Sequence, residues 1–272
     1  MWASLVPVSS QFFPADFLEA LSTWSQQRAR RGWGSQKSQK PGRERAGFDR
    51  RHWNEGEGIQ NVDWRASARS GERLVRLRER EVGGELQIVL DRSASLQPGP
   101  TRRDADQRRL ALAWGWLHLE GGGNLHLLSP KFDGKFSGGS ARGNLMSELE
   151  RLPPPSGEAL PEFGPSTESV FMTDPWSKIP LRFPTQTTVL TLVLPQEDTP
   201  PASGLNLRDI ESGETLEVSV DSSRFQKTWE RFLNRRSQEI NNAGANPVEF
   251  RLPTHEASAV DLITRLKGAN LV

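Results

Sequence analysis

The 272-residue sequence contains no cysteine, and its four histidines are scattered along the chain. Without cysteine, disulfides, thiolate metal sites and cysteine nucleophiles are all excluded. The histidines form no HExxH arrangement, and neither a Walker A loop nor a G-x-S-x-G elbow occurs. The sequence therefore shows no catalytic constellation, and we expect a protein that is not an enzyme.

Long apolar runs are also missing. The first ten residues lack the basic start and apolar core of a signal peptide. No window approaches the roughly 20 apolar residues that are needed to cross a bilayer. We therefore expect a cytoplasmic protein without a membrane span.

The net charge is only +1, so neither sign of charge dominates, but the basic residues are unevenly distributed along the chain. Between Arg28 and Arg51, nine Lys and Arg residues are accompanied by only Glu44 and Asp49. Such a stretch can attract nucleic acid or an acidic surface, or it can be a solvated connector. The connector is the preferred interpretation, and nucleic-acid binding through residues 28–51 stays an alternative.

Strand and helix patterns alternate from residue 85 to the C-terminus. The predicted elements are strand 86–90, helix 104–119, strand 124–128, helix 141–152, strand 169–174, strand 187–194, helix 221–243, strand 248–252 and helix 257–267. This alternation predicts an α/β fold with a doubly wound, mostly parallel sheet covered on both faces. In such sheets, ligands bind beyond the carboxyl ends of the strands.

The sequence divides into three predicted segments. Residues 1–46 hold an amphipathic helix at 12–31 and a basic linker. Residues 47–80 form a charged, Trp-containing module, and residues 81–272 form the α/β domain. The glycine-rich piece before residue 141 is interpreted as a loop.

Side chains with oxygen atoms follow two of the predicted strands and precede one of the predicted helices. Asp91, Ser93 and Ser95 follow the first strand of the domain, and Asp174 ends a later one. Ser140, after two glycines, precedes the helix at 141–152. Oxygen-only ligands suit a hard cation, so these five residues predict a Mg²⁺ site, with Mn²⁺ or Ca²⁺ as other candidates. With so few negative ligands, the cation would favour a carboxylate from another molecule.

These motifs resemble known families. Asp91-Arg92-Ser93-Ala94-Ser95, Gly138-Gly139-Ser140 and Thr173-Asp174 look like the metal-ion-dependent adhesion site of von Willebrand A domains. The block Arg51-His52-Trp53-Asn54-Glu55-Gly56-Glu57, followed by Asp63-Trp64 and Ala68-Arg69, is similar to the signature of the bacterial "domain of unknown function fifty-eight" family. Asp209-Ile210-Glu211-Ser212-Gly213-Glu214 resembles a late segment of the same family.

The resemblance implies a von Willebrand A-like, Rossmannoid domain preceded by a family-specific module. Relatives are commonly encoded beside MoxR-type AAA+ ATPases, which implies an adaptor or co-chaperone in protein maturation or complex assembly. The chain departs from the family pattern at Trp53, Glu57 and Gln60, and from adhesion sites at Ser140 and Pro175. Pro175, which stands where many von Willebrand A domains have Gly, stiffens the loop after Asp174.

The signature block is interpreted as structural. Its residues are Arg51, Trp53, Gly56, Glu57, Asp63, Trp64 and Arg69. An Asp beside a Trp is more often a satisfied hydrogen-bonding pair than a catalytic acid, so Asp63 and Trp64 are predicted to be structural, with Trp64 as a buried anchor beside an Asp–Arg pair. The leading hypothesis is a metal-dependent protein-binding adaptor that acts with a MoxR-type ATPase. A metal-dependent hydrolase is the other alternative, since a bound cation can activate water.

Overall fold

A computed structural model describes residues 12–30, 50–52, 64–72, 74–76, 83–96, 103–157, 160–164, 168–184, 186–199, 205–208, 215–218, 222–253 and 259–268. Its elements, in chain order, are α1 (Ala15–Arg30), β1 (Arg50–His52), α2 (Trp64–Ser70), β2 (Leu74–Arg76), β3 (Gly83–Leu90), α3 (Arg103–Glu120), β4 (Gly123–Ser129), β5 (Phe132–Phe136), α4 (Ala141–Arg151), β6 (Glu168–Thr173), β7 (Thr187–Val193), α5 (Pro195–Asp198), β8 (Leu205–Arg208), β9 (Thr215–Val218), α6 (Ser222–Asn242), β10 (Asn246–Arg251) and α7 (Ala259–Gly268). The chain forms two compact units, residues 1–34 with 83–272, and residues 35–82.

The larger unit is built on a six-stranded sheet of order β10-β7-β6-β3-β4-β5. Every neighbouring pair is parallel except β4 and β5. From β3 the chain passes through α3 to β4 on one side, and after α4 it returns to β6 on the other side. Strand order therefore reverses between β3 and β6, which is where ligands bind in open α/β sheets.

Side chains alternate between two apolar layers, as the period of a strand requires. On β3, Ile88 and Leu90 enter the core that also contains residues of α1, α3, α4 and α7, whereas Val89 packs with Ile240 of α6. Helices thus cover both faces of the sheet. The predicted α/β fold with a mostly parallel sheet is confirmed, and it is consistent with a Rossmann-like or von Willebrand A-type fold.

Helix α1 belongs to the unit that contains the sheet. Phe13, Phe17 and Leu21 are buried in the same core as the strands, and the main-chain oxygen of Phe12 accepts a hydrogen bond of 2.7 Å from Arg109 of α3. The sequence-based division put this helix in a separate segment with the basic linker. The structure groups it with the sheet, because its apolar face is covered there.

The predicted loop before residue 141 is present at 137–140, but strand β5, which precedes this loop, was not predicted. β5 pairs antiparallel with β4, from Ser129 opposite Phe132 to Leu125 opposite Phe136. Only two residues separate β4 from β5, and the chain therefore runs back to the level in the sheet at which β4 begins. This reversal decides where Ser140 lies.

The smaller unit contains the antiparallel pair β1–β2 and the seven-residue helix α2. The hydroxyl of Ser67 accepts a hydrogen bond of 2.9 Å from the amide of Leu74, which ties α2 to β2. Trp64 is 59% exposed. The predicted buried anchor at Trp64 was therefore wrong, because the described part of this unit, a seven-residue helix and two three-residue strands, offers little apolar surface to cover an indole.

Two further observations complete the fold. Strands β8 and β9 pair as an antiparallel hairpin in the larger unit, and the Asp209–Glu214 segment between them lies outside the described residues. Among the helices that the structure describes, none has both the length and the apolar character needed to cross a bilayer.

Candidate metal centre

The centre forms where the carboxyl ends of β3 and β6 lie side by side. Asp91 directly follows β3, and its amide donates a hydrogen bond of 3.0 Å to the carbonyl of Met172 on β6. Gln107 of α3 donates to the carbonyls of Asp91 and Met172 at 3.1 and 2.9 Å. The Gln107 side chain is fully buried, and its two hydrogen bonds fix the two strand ends relative to each other.

Six side chains converge at this point, and we call them the oxygen cluster. They are Asp91, Ser93, Ser95, Thr173, Asp174 and Ser177. The Ser93 hydroxyl lies 3.2 Å from Asp91 Oδ2, 3.0 Å from the Ser95 hydroxyl and 2.6 Å from the Ser177 hydroxyl. Thr173 donates to Asp91 Oδ2 at 2.6 Å, and Ser95 donates to Asp174 Oδ2. Four of the five predicted ligands are therefore brought together.

The loop after β6 is folded around the carboxylate of Asp174. Asp174 Oδ1 accepts the amides of Trp176 and Ser177, both at 2.7 Å, and the Ser177 hydroxyl at 3.0 Å. This turn places Ser177 in the cluster, which the sequence analysis did not predict. An Asp whose side chain caps the backbone of following residues is a known turn pattern, so Asp174-Pro175-Trp176-Ser177 was the available signal.

Arg92, between the predicted ligands, faces away from the cluster. Its guanidinium donates to Asp104 of α3 and to the carbonyl of Pro153. Arg108 pairs with the same Asp104 and donates to the carbonyl of Leu152 at 3.0 Å. The amides of Ser156 and Gly157 both donate to the Arg92 carbonyl at 3.0 Å. These bonds fasten the segment after α4 beside the cluster.

The two carboxylates are almost completely buried, at 2% exposure for Asp91 and 0% for Asp174. Burial raises the pKa of Asp91 above its ordinary value, and the nearby Asp174 charge raises it further, while hydroxyl groups of Ser177 and Thr173 oppose the rise. A nearby positive charge favours the ionised form of such a buried carboxylate.

Two guanidinium groups supply positive charge. Arg103 Nη1 lies 3.7 Å from Asp174 Oδ2, and its Nη2 is 2.5 Å from Glu197 Oε1. Arg236 of α6 donates to the carbonyl of Ser177. Burial lowers the pKa of Arg236, whereas the charges of Asp174, Glu239 and Asp91 raise it. The sequence analysis missed both arginines: Arg103 is the first residue of α3, and Arg236 lies on α6.

The donor set fits a hard divalent cation. Mg²⁺ binds oxygen at about 2.0–2.1 Å in octahedral geometry, so neighbouring ligands lie roughly 3 Å apart. The Ser93 hydroxyl is 3.0 Å from that of Ser95 and 3.2 Å from Asp91 Oδ2. Among the described residues, no group of three or more His, Cys, Asp or Glu side chains could hold a metal. Hydroxyl groups or other neutral oxygens would therefore have to complete a ligand set here.

Ser140 does not join the cluster. Because β5 runs back along β4, the residues after β5 lie near the ends of the parallel strands at which these strands begin. Arg142, two residues later, pairs with Glu120 at the end of α3, whereas Arg103 at the start of α3 reaches the cluster. Eighteen helical residues span about 27 Å. The expected ligand set is therefore corrected by removing Ser140.

The signature residues lie in the smaller unit. Trp53, Gly56, Glu57 and Asp63 fall outside the described residues. Arg51 is in β1, and Arg69 is exposed in the last turn of α2. The basic stretch 28–51 is described only at 28–30 and 50–51.

Comparison with known proteins supports the resemblance over part of the chain. Residues 49–128 match the family model described as "Protein of unknown function DUF58". The match covers less than a third of the chain and extends from the signature block through Asp91, Ser93 and Ser95 into β4. No curated protein and no solved structure matches the chain.

Proposed function

We propose that this protein is a metal-dependent protein-binding adaptor, in which the oxygen cluster holds Mg²⁺ and the cation binds an acidic residue of a partner. The observation that carries the proposal is the convergence of Asp91, Ser93, Ser95 and Asp174 at the strand-order reversal, with oxygen spacings that suit adjacent ligands. Mn²⁺ and Ca²⁺ are the other cations that such oxygen ligands accept.

The local charges explain why a bound cation would seek an outside anion. With a cation bound, Asp91 and Asp174 would contribute two negative charges, and Arg103 and Arg236 already bring two positive charges to them. A divalent cation added here keeps most of its charge, which a carboxylate from another molecule can neutralise. Ser93 and Ser95 are partly exposed while both carboxylates are buried, so the hydroxyl side is the open side.

The partner class comes from the family resemblance. A MoxR-type AAA+ ATPase is the proposed partner, and the adaptor would act with it in protein maturation or complex assembly in the cytoplasm. The partial match to the "Protein of unknown function DUF58" model supports the family part of this argument.

The metal is tested by calorimetric titration of the full-length chain with Mg²⁺ and Mn²⁺. Asp91→Asn is expected to weaken binding at least about tenfold, because it removes a charged ligand. The folded state should tolerate the amide, since burial already disfavours the ionised carboxylate. Ser140→Ala is the matched control for Ser95→Ala, because both remove a hydroxyl and only Ser95 belongs to the cluster.

The partner is tested with a purified MoxR-type ATPase from the same organism. We expect retention of the ATPase on the immobilised chain in Mg²⁺, and release by EDTA. Asp91→Asn should abolish retention, with near-ultraviolet circular dichroism confirming the fold. Mg²⁺-independent retention, or equal retention by Asp91→Asn, contradicts the proposal.

A further inference from the structure

A group of three packed aromatic rings, of which Trp176 is exposed, lies directly beside the oxygen cluster. Trp176 is 56% exposed although it stands between Asp174 and Ser177. Its ring stacks on Phe232 of α6 with centroids 5.0 Å apart, and it lies 5.4 Å from the ring of Trp229. Trp229 and Phe232 stack at 5.4 Å. We call these three rings the aromatic platform.

The platform is held in place by hydrogen bonds as well as by stacking. The Trp176 indole donates to Glu197 at 2.7 Å, and the Trp229 indole donates to Asp198 at 2.9 Å. Glu197 is also the partner of Arg103, which reaches Asp174 in the cluster. The exposed ring is therefore fixed relative to the cluster through its own backbone and through this chain of charges. A rigid, amphipathic ring loses little conformational entropy when it binds.

We infer that the aromatic platform and the oxygen cluster together bind a partner segment in which an Asp or Glu stands within about three residues of a bulky apolar side chain. The inference rests on the proposed function, because the acidic residue is bound by the cation. The apolar side chain packs on the exposed face of Trp176. Buried Trp residues are among the most common energetic anchors at protein interfaces.

The spacing follows from the chain itself. The Cα atoms of Asp174 and Trp176 are separated by two peptide units, so they lie at most about 7 Å apart. An extended partner segment advances about 3.3 Å per residue. One segment can therefore place a carboxylate at the cation and an apolar side chain on Trp176 when the two residues lie two or three positions apart. Such a partner complements both the charge and the apolar character of this surface.

The test selects from a library of random 12-residue peptides displayed on phage, with the immobilised full-length chain in Mg²⁺ or in EDTA. Enrichment of peptides with an acidic residue within three positions of Leu, Ile, Met, Phe or Trp, only in Mg²⁺, supports the inference. Acidic peptides enriched in Mg²⁺ without an apolar neighbour overturn it and leave the proposed function standing. If no peptide depends on Mg²⁺, or the chain binds no Mg²⁺, the inference is overturned.

The variants then assign the anchor. Trp176→Ala should weaken the best selected peptide at least about tenfold, and Trp176→Phe should restore most of the affinity. Leu181→Ala is the matched control, because Leu181 is fully exposed outside the platform. Calorimetric Mg²⁺ titration is run on each variant. Unchanged peptide affinity in Trp176→Ala overturns the inference, and so does loss of Mg²⁺ binding in both Trp176 variants, since the ring would then act on the metal site.

Discussion

At the scale of single residues, the geometry of the cluster depends on buried polar side chains that are not themselves ligands. Gln107 is fully buried and joins the strand ends of β3 and β6 through two hydrogen bonds. Its side-chain oxygen also accepts a hydrogen bond of 3.3 Å from Arg92. An apolar substitute would leave these buried groups without this partner, and an unsatisfied buried polar group is costly.

We therefore expect Gln107→Leu to lower the free energy of unfolding by about 1–3 kcal/mol. The measurement is urea denaturation followed by Trp fluorescence. Gln226→Leu on the exposed surface of α6 is the control, and a surface change of this kind usually stays within about 0.5 kcal/mol. Equal stability of the two variants would show that the bridge between the strand ends contributes nothing measurable.

Glu168, the first residue of β6, gives a pH-dependent prediction. Burial raises its pKa above the ordinary 4.5, although the charge of His118 opposes the rise. The unfolded chain therefore releases this proton at lower pH than the folded protein, and rising pH through that window weakens the fold. Glu168→Gln should stabilise the protein above the raised pKa and make little difference below 4.5.

This prediction is tested by urea denaturation at about pH 4 and about pH 7, with the midpoint and slope compared between variants. Glu230→Gln, at an exposed position of α6, controls for the loss of one negative charge. A Glu168→Gln variant that is less stable than the native chain at neutral pH would contradict the sign of the shift.

At the scale of elements, the apolar patterns predicted most of the six-stranded sheet and its helices correctly, whereas the edge strand β5 was missed. Short apolar runs such as 86–90 and 187–194 are legible because buried parallel strands are apolar on both faces. β5 has the sequence Phe-Asp-Gly-Lys-Phe at the edge of the sheet and reads as part of a glycine-rich loop. Because β5 was not predicted, Ser140 was expected near the carboxyl ends of the parallel strands, whereas it lies near the ends where these strands begin.

Contacts between side chains from different elements were the second feature that the sequence predicted only in part. Asp91, Ser93 and Ser95 are close in sequence, and Asp174 ends a recognisable strand, so their convergence could be predicted. Ser177 reaches the cluster only through the turn around Asp174. Arg103 and Arg236 lie on α3 and α6, and helical periodicity does not specify how these helices are placed against the strand ends.

Helix packing offers an element-scale prediction with an internal control. A Cβ atom on Gly115 of α3 would lie 2.7 Å from Leu145 and 2.8 Å from Leu125, both of which are buried. Gly143 of α4 has nothing within 4 Å of that position. Gly143→Ala should stabilise by about 0.5–1 kcal/mol, whereas Gly115→Ala should destabilise by about 1–3 kcal/mol through overpacking. Thermal unfolding measures both, and a shared sign would contradict the close α3–α4 approach.

At the scale of the whole molecule, the compact unit around the sheet is discontinuous in sequence. Residues 1–34 and 83–272 form it, and residues 35–82 form the other unit. The amphipathic pattern of α1 predicted an apolar face, but periodicity alone does not say which surface covers that face. The burial of Phe13, Phe17 and Leu21 in the core of the sheet answers this question. A core that includes α1 and all six strands has the parts of an independent folding unit.

We therefore expect residues 35–82 to be replaceable by a flexible Gly/Ser linker without loss of the larger unit. A linker of about 25 residues reaches about 80 Å when extended, more than the width of a domain of this size, and loop closure depends only weakly on length. The expected result is a single cooperative thermal transition with native-like near-ultraviolet circular dichroism. Adding Phe17→Ala should then cost about 3–5 kcal/mol, because α1 remains in the core. A linker variant without a cooperative transition would show that the smaller unit is required for the larger one to fold.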